Sequence, residues 1–249
     1  MDNFLNINIE FDHDKVDRII QNSIQARQKG YVCSVDGNIF TIANKDSEYN
    51  KIINSALVNI CDSSYAAFFY SLLKRESTKP YIGADLFIKY IRMKKYNQVF
   101  LGSTPEVLDS LKEQLQIIDP RISNMHFMSL PFMGVEEFDY GNIAKEINLL
   151  QPDIIWVSLG APKQEKFMYY ILPKLNQGIM FGFGAILNFY SGMKKLKRAP
   201  QIMLAFKLEW LYRLYQEPKK QWHKIKNFLG TFPSLLLIEF KRNVIKIRK

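Results

Sequence analysis

Short apolar runs alternate with segments of helical periodicity along most of the chain. Brief apolar runs that are bounded by polar residues or glycine are typical of buried strands. On this basis strands are predicted at residues 6–9, 31–35, 57–61, 97–101, 125–129, 153–159 and 178–183.

The segments between these runs carry apolar residues at helical spacing. The apolar residues between positions 16 and 24 fall on one helical face, and Gly30 is expected to end that helix. Pro105 is well placed for the first turn of another helix. Further helices are predicted over 48–54, 64–74, 84–94, 140–150 and 163–176. Strands separated by helices imply parallel βαβ units, so the predicted fold class is α/β with a doubly wound, mostly parallel sheet.

The positive charge of the chain is concentrated towards its C-terminal end. The formal net charge is +10, and residues 1–193 contribute −2 to it whereas residues 194–249 contribute +12. We therefore predict a core over residues 1–193 and a basic, helical appendage over 194–249. The appendage mixes cations with aromatic and aliphatic residues, which is typical of proteins that bind an anionic membrane surface. A nucleic acid would attract the same cations, and a solvated helix pair packed on the core is a third interpretation.

Composition and motifs exclude several other classes of protein. Cys33 and Cys61 are too few for a disulfide framework or a four-cysteine zinc site, and the three histidines are isolated. No apolar run is long enough to span a bilayer, and residues 1–3 lack the basic segment of a signal peptide, so we expect a cytoplasmic protein. A Walker-type Gly-Lys-Ser/Thr motif and a G-x-G-x-x-G motif after the first strand are both missing, which disfavours nucleotide hydrolases and common dinucleotide enzymes.

Polar and glycine-rich turns follow five of the predicted strands. In doubly wound sheets, ligands bind at the carboxyl ends of the strands. Backbone N–H groups at glycine turns and helix N-termini can hold a diphosphate without a metal ion. Any βα turn favours glycine and serine, so one turn alone is weak evidence. The turns are at 34–36, 62–64, 102–104, 160–165 and 182–184.

Three segments are more specific together than any one turn. Residues 157–165 read VSLGAPKQE and are similar to the V-x-L-G-x-P-K-Q-E signature of the WecG/TagA/CpsF glycosyltransferases. KRAP at 197–200, LEWLYRL at 208–214 and Glu217-Pro218 resemble that family's K-R-A-P, L-E-W-L-x-R-L and E-P. Residues 83–86 resemble its G-x-D-L. The order and spacing match from about residue 31 to residue 218.

The resemblance implies a Rossmann-like α/β core with a C-terminal membrane-associating appendage. It implies transfer of a sugar such as N-acetylmannosamine or its uronic acid from a UDP-sugar to a polyprenyl-diphosphate-linked sugar, with inversion and without a metal or another cofactor. Such products feed teichoic acid, enterobacterial common antigen, capsule or exopolysaccharide synthesis. The expected partners are the two substrates and an anionic membrane surface on the inner face of the cell membrane. No nucleic acid is expected, and a homo-oligomer is left open.

The resemblance implies that Asp62 is the general base. Ser34-Val35-Asp36 occupies the family's T-x-N position, and Asp62-Ser63 occupies its D-G position 28 residues after Ser34. Asp62 would take the proton of the acceptor hydroxyl, and partial burial at a strand end can raise the basicity of such a carboxylate. The alternative is that Asp62 caps the helix that begins at residue 64.

The remaining expected site residues form a donor-binding group and a cation group. In the donor group, Glu165 could instead stabilise a helix N-terminus through the helix dipole, and Asp85 could cap a helix. The cations would contact the acceptor diphosphate or lipid headgroups, and salt bridges to Glu209 or Glu217 are the alternative for the arginines. The donor group is Ser34, Asp36, Gly83, Asp85, Gly102, Ser103, Gly160, Pro162, Gln164, Glu165 and Gly184. The cation group is Lys197, Arg198, Arg213, Lys219 and Lys220.

Five positions differ from the family's pattern. Ser34 replaces Thr and keeps the hydroxyl, whereas Asp36 replaces Asn with a carboxylate that only accepts hydrogen bonds. Ser63 stands for Gly, Pro80 for Arg and Asn188 for Asp. These differences bear on the donor sugar more than on the reaction. They also leave a non-catalytic subunit that binds a nucleotide sugar or lipid as the alternative function.

Asp12-His13-Asp14 spells the D-x-D motif with which many glycosyltransferases bind a metal ion. It precedes the first predicted helix and lies away from the predicted strand ends. We therefore interpret it as a helix cap, and expect no metal site in the chain.

Overall fold

The chain forms a parallel sheet with helices on both faces, and a separate small hairpin. The computed structural model describes residues 1–193, 200, 203 and 209–247. In this part of the chain the strands are β1 Asp2–Phe4, β2 Ile7–Ile9, β3 Lys29–Val35, β4 Val58–Cys61, β5 Gln98–Gly102, β6 His126–Met128, β7 Ile154–Ser158 and β8 Gly178–Gly182.

Helices connect the strands of the large sheet. Short 3₁₀ helices occur at Pro120–Asn124, Val135–Glu137 and Leu172–Lys174. The described α-helices are α1 His13–Gln25, α2 Gly37–Ala43, α3 Ser47–Asn54, α4 Ser64–Lys74, α5 Gly83–Arg92, α6 Pro105–Ile118, α7 Tyr140–Leu150, α8 Lys163–Ile171, α9 Ile186–Tyr190, α10 Glu209–Gln216 and α11 Pro218–Ile247.

The large sheet contains six parallel strands in the order β4-β3-β8-β7-β5-β6. The chain passes from β3 outward to β4, crosses to β5 and β6 in the other half, and then fills the middle with β7 and β8. Every connection contains a helix, which returns the chain to the edge where the next parallel strand must begin. The predicted α/β class with a doubly wound parallel sheet is confirmed.

Alternate residues of the strands enter two apolar layers, one on each face of the sheet. On β3, Tyr31 and Cys33 lie in the layer with α2, α3, α4, α7 and α8. Val32 lies in the layer with α1, α5, α6 and α9. Because side chains alternate along a strand, Ser34 points to the same face as Val32. The face that carries α5 therefore receives the Ser34 hydroxyl.

The predicted strand at 6–9 belongs to the hairpin and not to the large sheet. β1 and β2 pair antiparallel, and the two residues between them, Leu5 and Asn6, have positive φ angles of 51° and 63°. Two positive φ angles are typical of a type I′ turn, where Asn-Gly is favoured. Leu5 is buried in the core, so its packing stabilises a turn conformation that leucine disfavours. Because the turn lacks the usual glycine, the hairpin and its first strand β1 were not predicted from the sequence.

The expectation that Gly30 ends α1 is wrong. α1 ends at Gln25, and Arg27 takes a left-handed conformation with φ of 50° just beyond it. Gly30 lies inside β3, where an added Cβ would stand 3.1 Å from Cβ of Leu57. The close approach of this neighbouring segment, and not a helix end, favours glycine here.

The basic helix α11 packs on the core. Phe232 and Leu235 are buried in the apolar layer that contains α2 and α4. The rings of Phe232 and Phe69 of α4 have centroids 5.9 Å apart, and an added Cβ on Gly37 of α2 would stand 2.9 Å from the Phe228 ring. Helix packing on the core, one of the interpretations above, is thus observed for one face of α11. The domain boundary at residue 193 stays a prediction.

We expect Phe232→Ala to lower the free energy of unfolding by about 3 kcal/mol, because it removes a buried ring and leaves a cavity. Leu237→Ala is the matched control in the same helix, since Leu237 is 65% exposed; it should change the same quantity by less than about 0.5 kcal/mol. Urea denaturation followed by circular dichroism measures both. Equal effects of the two substitutions would contradict the packing of α11 described here.

Candidate functional site

The parallel sheet brings the five predicted turns to one edge. Across the strands β4, β3, β8, β7 and β5 the turn residues follow in the order Asp62, Asp36, Gly184, Gly160 and Ser103. Neighbouring strands are about 4.8 Å apart, so these turns extend over roughly 19 Å. This edge is the carboxyl end of the sheet, where doubly wound folds bind their ligands.

Asp62 lies at the end of β4 and is oriented by β3. Its carboxylate oxygen Oδ2 accepts a hydrogen bond of 2.7 Å from the Ser34 hydroxyl, and its backbone N–H donates to the carbonyl of Val35 at 3.0 Å. The N-cap of α4 is Ser63, whose hydroxyl accepts from the backbone of Ala66. The alternative that Asp62 caps this helix is therefore wrong, and its half-buried carboxylate stands at the edge beside a hydroxyl donor.

Gly83 places the N-terminus of α5 against the same pair. A Cβ on Gly83 would stand 3.0 Å from Oγ of Ser34 and 3.3 Å from Ile186. Only a residue without a side chain lets the helix approach this closely. The N-cap of α5 is Ile82, and Asp85 is exposed in the first turn. The structure thus brings together three sequence-predicted residues, Ser34, Asp62 and Gly83.

Gln164 joins the turn after β7 to the end of β8. Its side-chain oxygen accepts from the N–H of Gly160 at 3.1 Å, and its Nε2 donates to the carbonyl of Gly182 at 2.9 Å. A Cβ on Gly184 would stand 2.7 Å from Oε1 of Gln164 and 2.8 Å from Cα of Gly160. Gln164 is itself buried. In this arrangement it fixes the shape of two glycine turns, and its binding to a donor stays a prediction.

Glu165 is completely buried behind Gln164. Its two oxygens accept from Nε2 of Gln164 at 2.7 Å and from the Tyr49 hydroxyl of α3 at 3.0 Å. Burial raises the pKa of Glu165 from 4.5 to about 7, against the lowering effect of these hydrogen bonds, and the negative charge of Asp36 adds to the rise. Tyr49 was missed from the sequence, because nothing local connects residues that are 116 positions apart.

Asp36 caps a helix that was not predicted. Its Oδ1 accepts from the N–H of Ile39 at 2.9 Å at the start of α2. An Asp at the end of a buried strand, followed within three residues by apolar positions, is a signal that could have identified this cap. The role of Asp36 in donor binding stays a prediction.

The turn after β5 is fixed by the end of β7. Gly102 has a φ of 93°, and a Cβ there would stand 2.6 Å from the carbonyl oxygen of Ser158. Ser103 donates its N–H to the same carbonyl at 3.1 Å, and the Ser158 hydroxyl donates to the carbonyl of Gly184 at 2.5 Å. Three adjacent turns are therefore linked to one another. Pro105 begins α6 directly afterwards, as predicted.

Lys163 lies in the predicted turn at 160–165, but the sequence analysis assigned it no role in the site. It follows Pro162, which is exposed at the N-cap of α8. Its ammonium group donates to the carbonyl of Met133 and lies 4.9 Å from the ring centroid of Phe138 and 5.4 Å from that of Phe132. Lys163 thus holds the loop after β6 against the start of α8.

Asp12 caps α1, as predicted for the D-x-D motif. Its carboxylate accepts from the backbone of Asp14 at 2.9 Å and of Lys15 at 3.1 Å. Across the residues that the structure describes, no three His, Cys, Asp or Glu side chains are grouped as metal ligands. A reaction without a metal stays a prediction.

The structure does not describe the side chains of most residues in the predicted cation group. Lys197 and Arg198 lie outside the described residues, as do the side chains of Arg213 and Lys220. Lys219 is exposed in the first turn of α11. Within the described ranges, no helix is both long and apolar enough to cross a bilayer. Contact of these cations with an acceptor or a membrane stays a prediction.

Glu165 makes the stability of the protein depend on pH. Its folded pKa of about 7 lies above the ordinary value of 4.5. Between these values the folded state binds more protons than the unfolded state, so the free energy of unfolding falls as the pH rises. Glu165→Gln removes this titration. We expect the variant to gain stability relative to the wild type between pH 5 and pH 8, by on the order of 2–3 kcal/mol.

Urea denaturation of both proteins across this pH range measures the difference. Glu113→Gln is the control, because Glu113 is exposed on α6; its curve should run parallel to that of the wild type. A parallel curve for Glu165→Gln as well would show that the buried carboxyl does not titrate as described.

The chain resembles known glycosyltransferases over nearly its whole length. Two proteins from Staphylococcus aureus, of strains MW2 and NCTC 8325, are each 26% identical to it and are named N-acetylglucosaminyldiphosphoundecaprenol N-acetyl-beta-D-mannosaminyltransferase. The aligned region covers 86% of this chain and 85% of the MW2 protein, and 83% and 82% for the NCTC 8325 protein. The family model described as "Glycosyl transferase WecG/TagA/CpsF family" matches residues 3–246. The chain therefore belongs to the WecG/TagA/CpsF family of glycosyltransferases.

Proposed function

We propose that this glycosyltransferase moves N-acetylmannosamine, or its uronic acid, from a UDP-sugar to a polyprenyl-diphosphate-linked sugar with inversion at the anomeric carbon. The hydrogen bond from Ser34 to Asp62 at the carboxyl edge of the sheet carries the proposal. The names of the Staphylococcus aureus relatives, which specify an N-acetylmannosaminyl group and an N-acetylglucosaminyl-diphosphoundecaprenol acceptor, support this substrate class. The product would be a lipid-linked intermediate of teichoic acid or another surface polysaccharide.

In the proposed reaction Asp62 is the general base. It accepts the proton of the acceptor hydroxyl while the hydroxyl oxygen attacks the anomeric carbon. The bond from that carbon to the UDP oxygen breaks, its electron pair stays on UDP, and UDP leaves from the opposite face. Ser34 donates to the carboxylate and keeps it oriented. A positioned base of this kind contributes roughly 10²–10⁴-fold to the rate.

The helices at the edge support binding of the departing diphosphate. α1, α2, α3, α4 and α7 each have an Asp or Ser side chain at the N-cap that accepts from the first turn. The N-caps of α5, α6, α8 and the five-residue α9 make no such side-chain bond. These helices begin beside the site turns, and a helix N-terminus carries partial positive charge. Those first-turn N–H groups that are not bonded within the protein, as those of Gln164 and Asp85 are, are suited to stabilise the negative charge that develops on UDP.

The exposed surface of α11 supports a position on the inner face of the cell membrane. A polyprenyl-linked acceptor resides in the bilayer, so the enzyme must approach it there. Exposed apolar side chains combined with cations favour an anionic membrane surface. The exposed apolar residues are Trp222, Leu229, Leu237, Ile238 and Phe240. The exposed cations are Lys219, Lys226, Lys241 and Arg242.

We expect Asp62→Asn to lower turnover by about 10²-fold or more, because the amide cannot accept the acceptor proton. UDP binding should stay nearly unchanged, since the diphosphate contacts are assigned to other turns. The assay supplies UDP-N-acetylmannosamine and a short-chain N-acetylglucosaminyl-diphospholipid, detects the lipid product by mass spectrometry, and measures UDP affinity by calorimetry.

Asp14→Asn is the matched control, because Asp14 is exposed on α1 and is the second aspartate of the D-x-D motif. It should retain wild-type turnover. Wild-type turnover by Asp62→Asn would show that Asp62 is not the general base. UDP binding without product from a panel of UDP-sugars would favour the non-catalytic subunit instead.

A further inference from the structure

Helix α4 exposes three large side chains on one face. Tyr65 is 47% exposed, Phe68 58% and Leu72 56%. Their spacing of three and four residues puts them on one side of the helix, over a length of about 10 Å. The opposite side holds the buried residues Ala66 and Tyr70. A contiguous apolar face of this kind marks an interaction surface more often than isolated exposed residues do.

The end of this helix carries excess positive charge. Lys74, Arg75 and Lys79 are exposed there, against one exposed acid, Glu76. Apolar side chains flanked by cations are complementary to an anionic lipid surface, where the cations contact headgroups and the apolar groups enter the acyl boundary.

The face belongs to a helix that begins beside the candidate base and contacts α11. α4 begins at Ser64, two positions after Asp62. On its flank Phe69 contacts Phe232 of α11, so α4 and α11 are neighbours. The exposed apolar residues of α4 and α11 thus belong to two helices that pack against each other.

We propose that Tyr65, Phe68 and Leu72, together called the α4 face, dock on an anionic bilayer. This inference rests on the proposed function, because a lipid-linked acceptor is what requires a site near a membrane. Interfacial helices enter the bilayer by about 5–10 Å, so docking through α4 holds Asp62 close to the headgroups. The core of the enzyme, and not the C-terminal segment alone, then sets the height of the site above the lipid.

Vesicle binding tests the α4 face independently of catalysis. The full-length double variant Phe68→Ser/Leu72→Ser is sedimented with vesicles of phosphatidylcholine containing phosphatidylglycerol and no acceptor. We expect about tenfold or greater loss of partitioning, because both groups leave the acyl boundary. For the wild type, removing the phosphatidylglycerol should weaken binding as well. Since no turnover is measured, failure of the proposed function would not alter this result.

The matched control is Ile117→Ser/Leu149→Ser, which removes two exposed apolar side chains of α6 and α7. Both lie near the helix ends at the amino edge of the sheet, away from α4, so partitioning should stay at the wild-type value. Thermal unfolding and far-ultraviolet circular dichroism verify that the α4 double variant folds.

Unchanged vesicle binding by the α4 variant would overturn the inference. If the variant then lost activity only with long-chain acceptors, the face would be assigned to the polyprenyl chain. If light scattering instead showed a change in molar mass, the face would be assigned to a second copy of the chain.

Discussion

The hydrogen bond from Ser34 to Asp62 depends on the parallel pairing of β3 with β4. In that register Ser34 pairs with Ile60 and Val35 with Cys61, so both strands end together and Asp62 emerges beside the hydroxyl. Antiparallel pairing would send their carboxyl ends to opposite edges. Because α5 then begins at Gly83 against Ser34, the sheet and a helix N-terminus meet at the hydroxyl that donates to the carboxylate. The orientation of the candidate base is therefore a property of the sheet and not of a flexible loop.

Two carboxyl groups near this edge of the sheet lie in different environments. Asp62 is half-buried at the open side, whereas Glu165 is completely buried and has a pKa raised to about 7. Glu165 is tolerated because Gln164 and Tyr49 donate hydrogen bonds to both of its oxygens. Gln164 in turn holds the turns that contain Gly160 and Gly182. Pairs of carboxyl groups in contrasting surroundings commonly have different roles, and here the buried one supports the shape of the site.

Features that depend on neighbouring residues could be predicted from the sequence. Contacts between residues that are far apart along the chain could not. Apolar runs and periodicity predicted the six parallel strands, and the cap at Asp12 followed from its position. The turn at Leu5 and Asn6 was missed because tertiary packing, not turn chemistry, holds it. Gly30 was assigned to a helix end because the approach of Leu57 cannot be read from neighbours along the chain. The motifs marked Gln164 and Glu165, but only the fold shows that they face inward.

The C-terminal helix cannot be treated as a detachable membrane anchor. Phe228, Phe232, Leu235 and Glu239 follow one another at spacings of four, three and four residues, and the last three of them are buried. Leu229, Leu237 and Phe240 lie on other sides of the same helix and are exposed. Removing α11 would therefore expose core surface at α2 and α4 as well as remove the lipid contacts that we propose for its outer side. The outer side of α11, for which we propose a lipid contact, belongs to the helix whose Phe232 packs on Phe69 of α4, and α4 starts two residues after Asp62. In the proposed membrane-bound state, the packing of α11 on α4 would therefore place the start of α4, and with it Asp62, near the lipid surface.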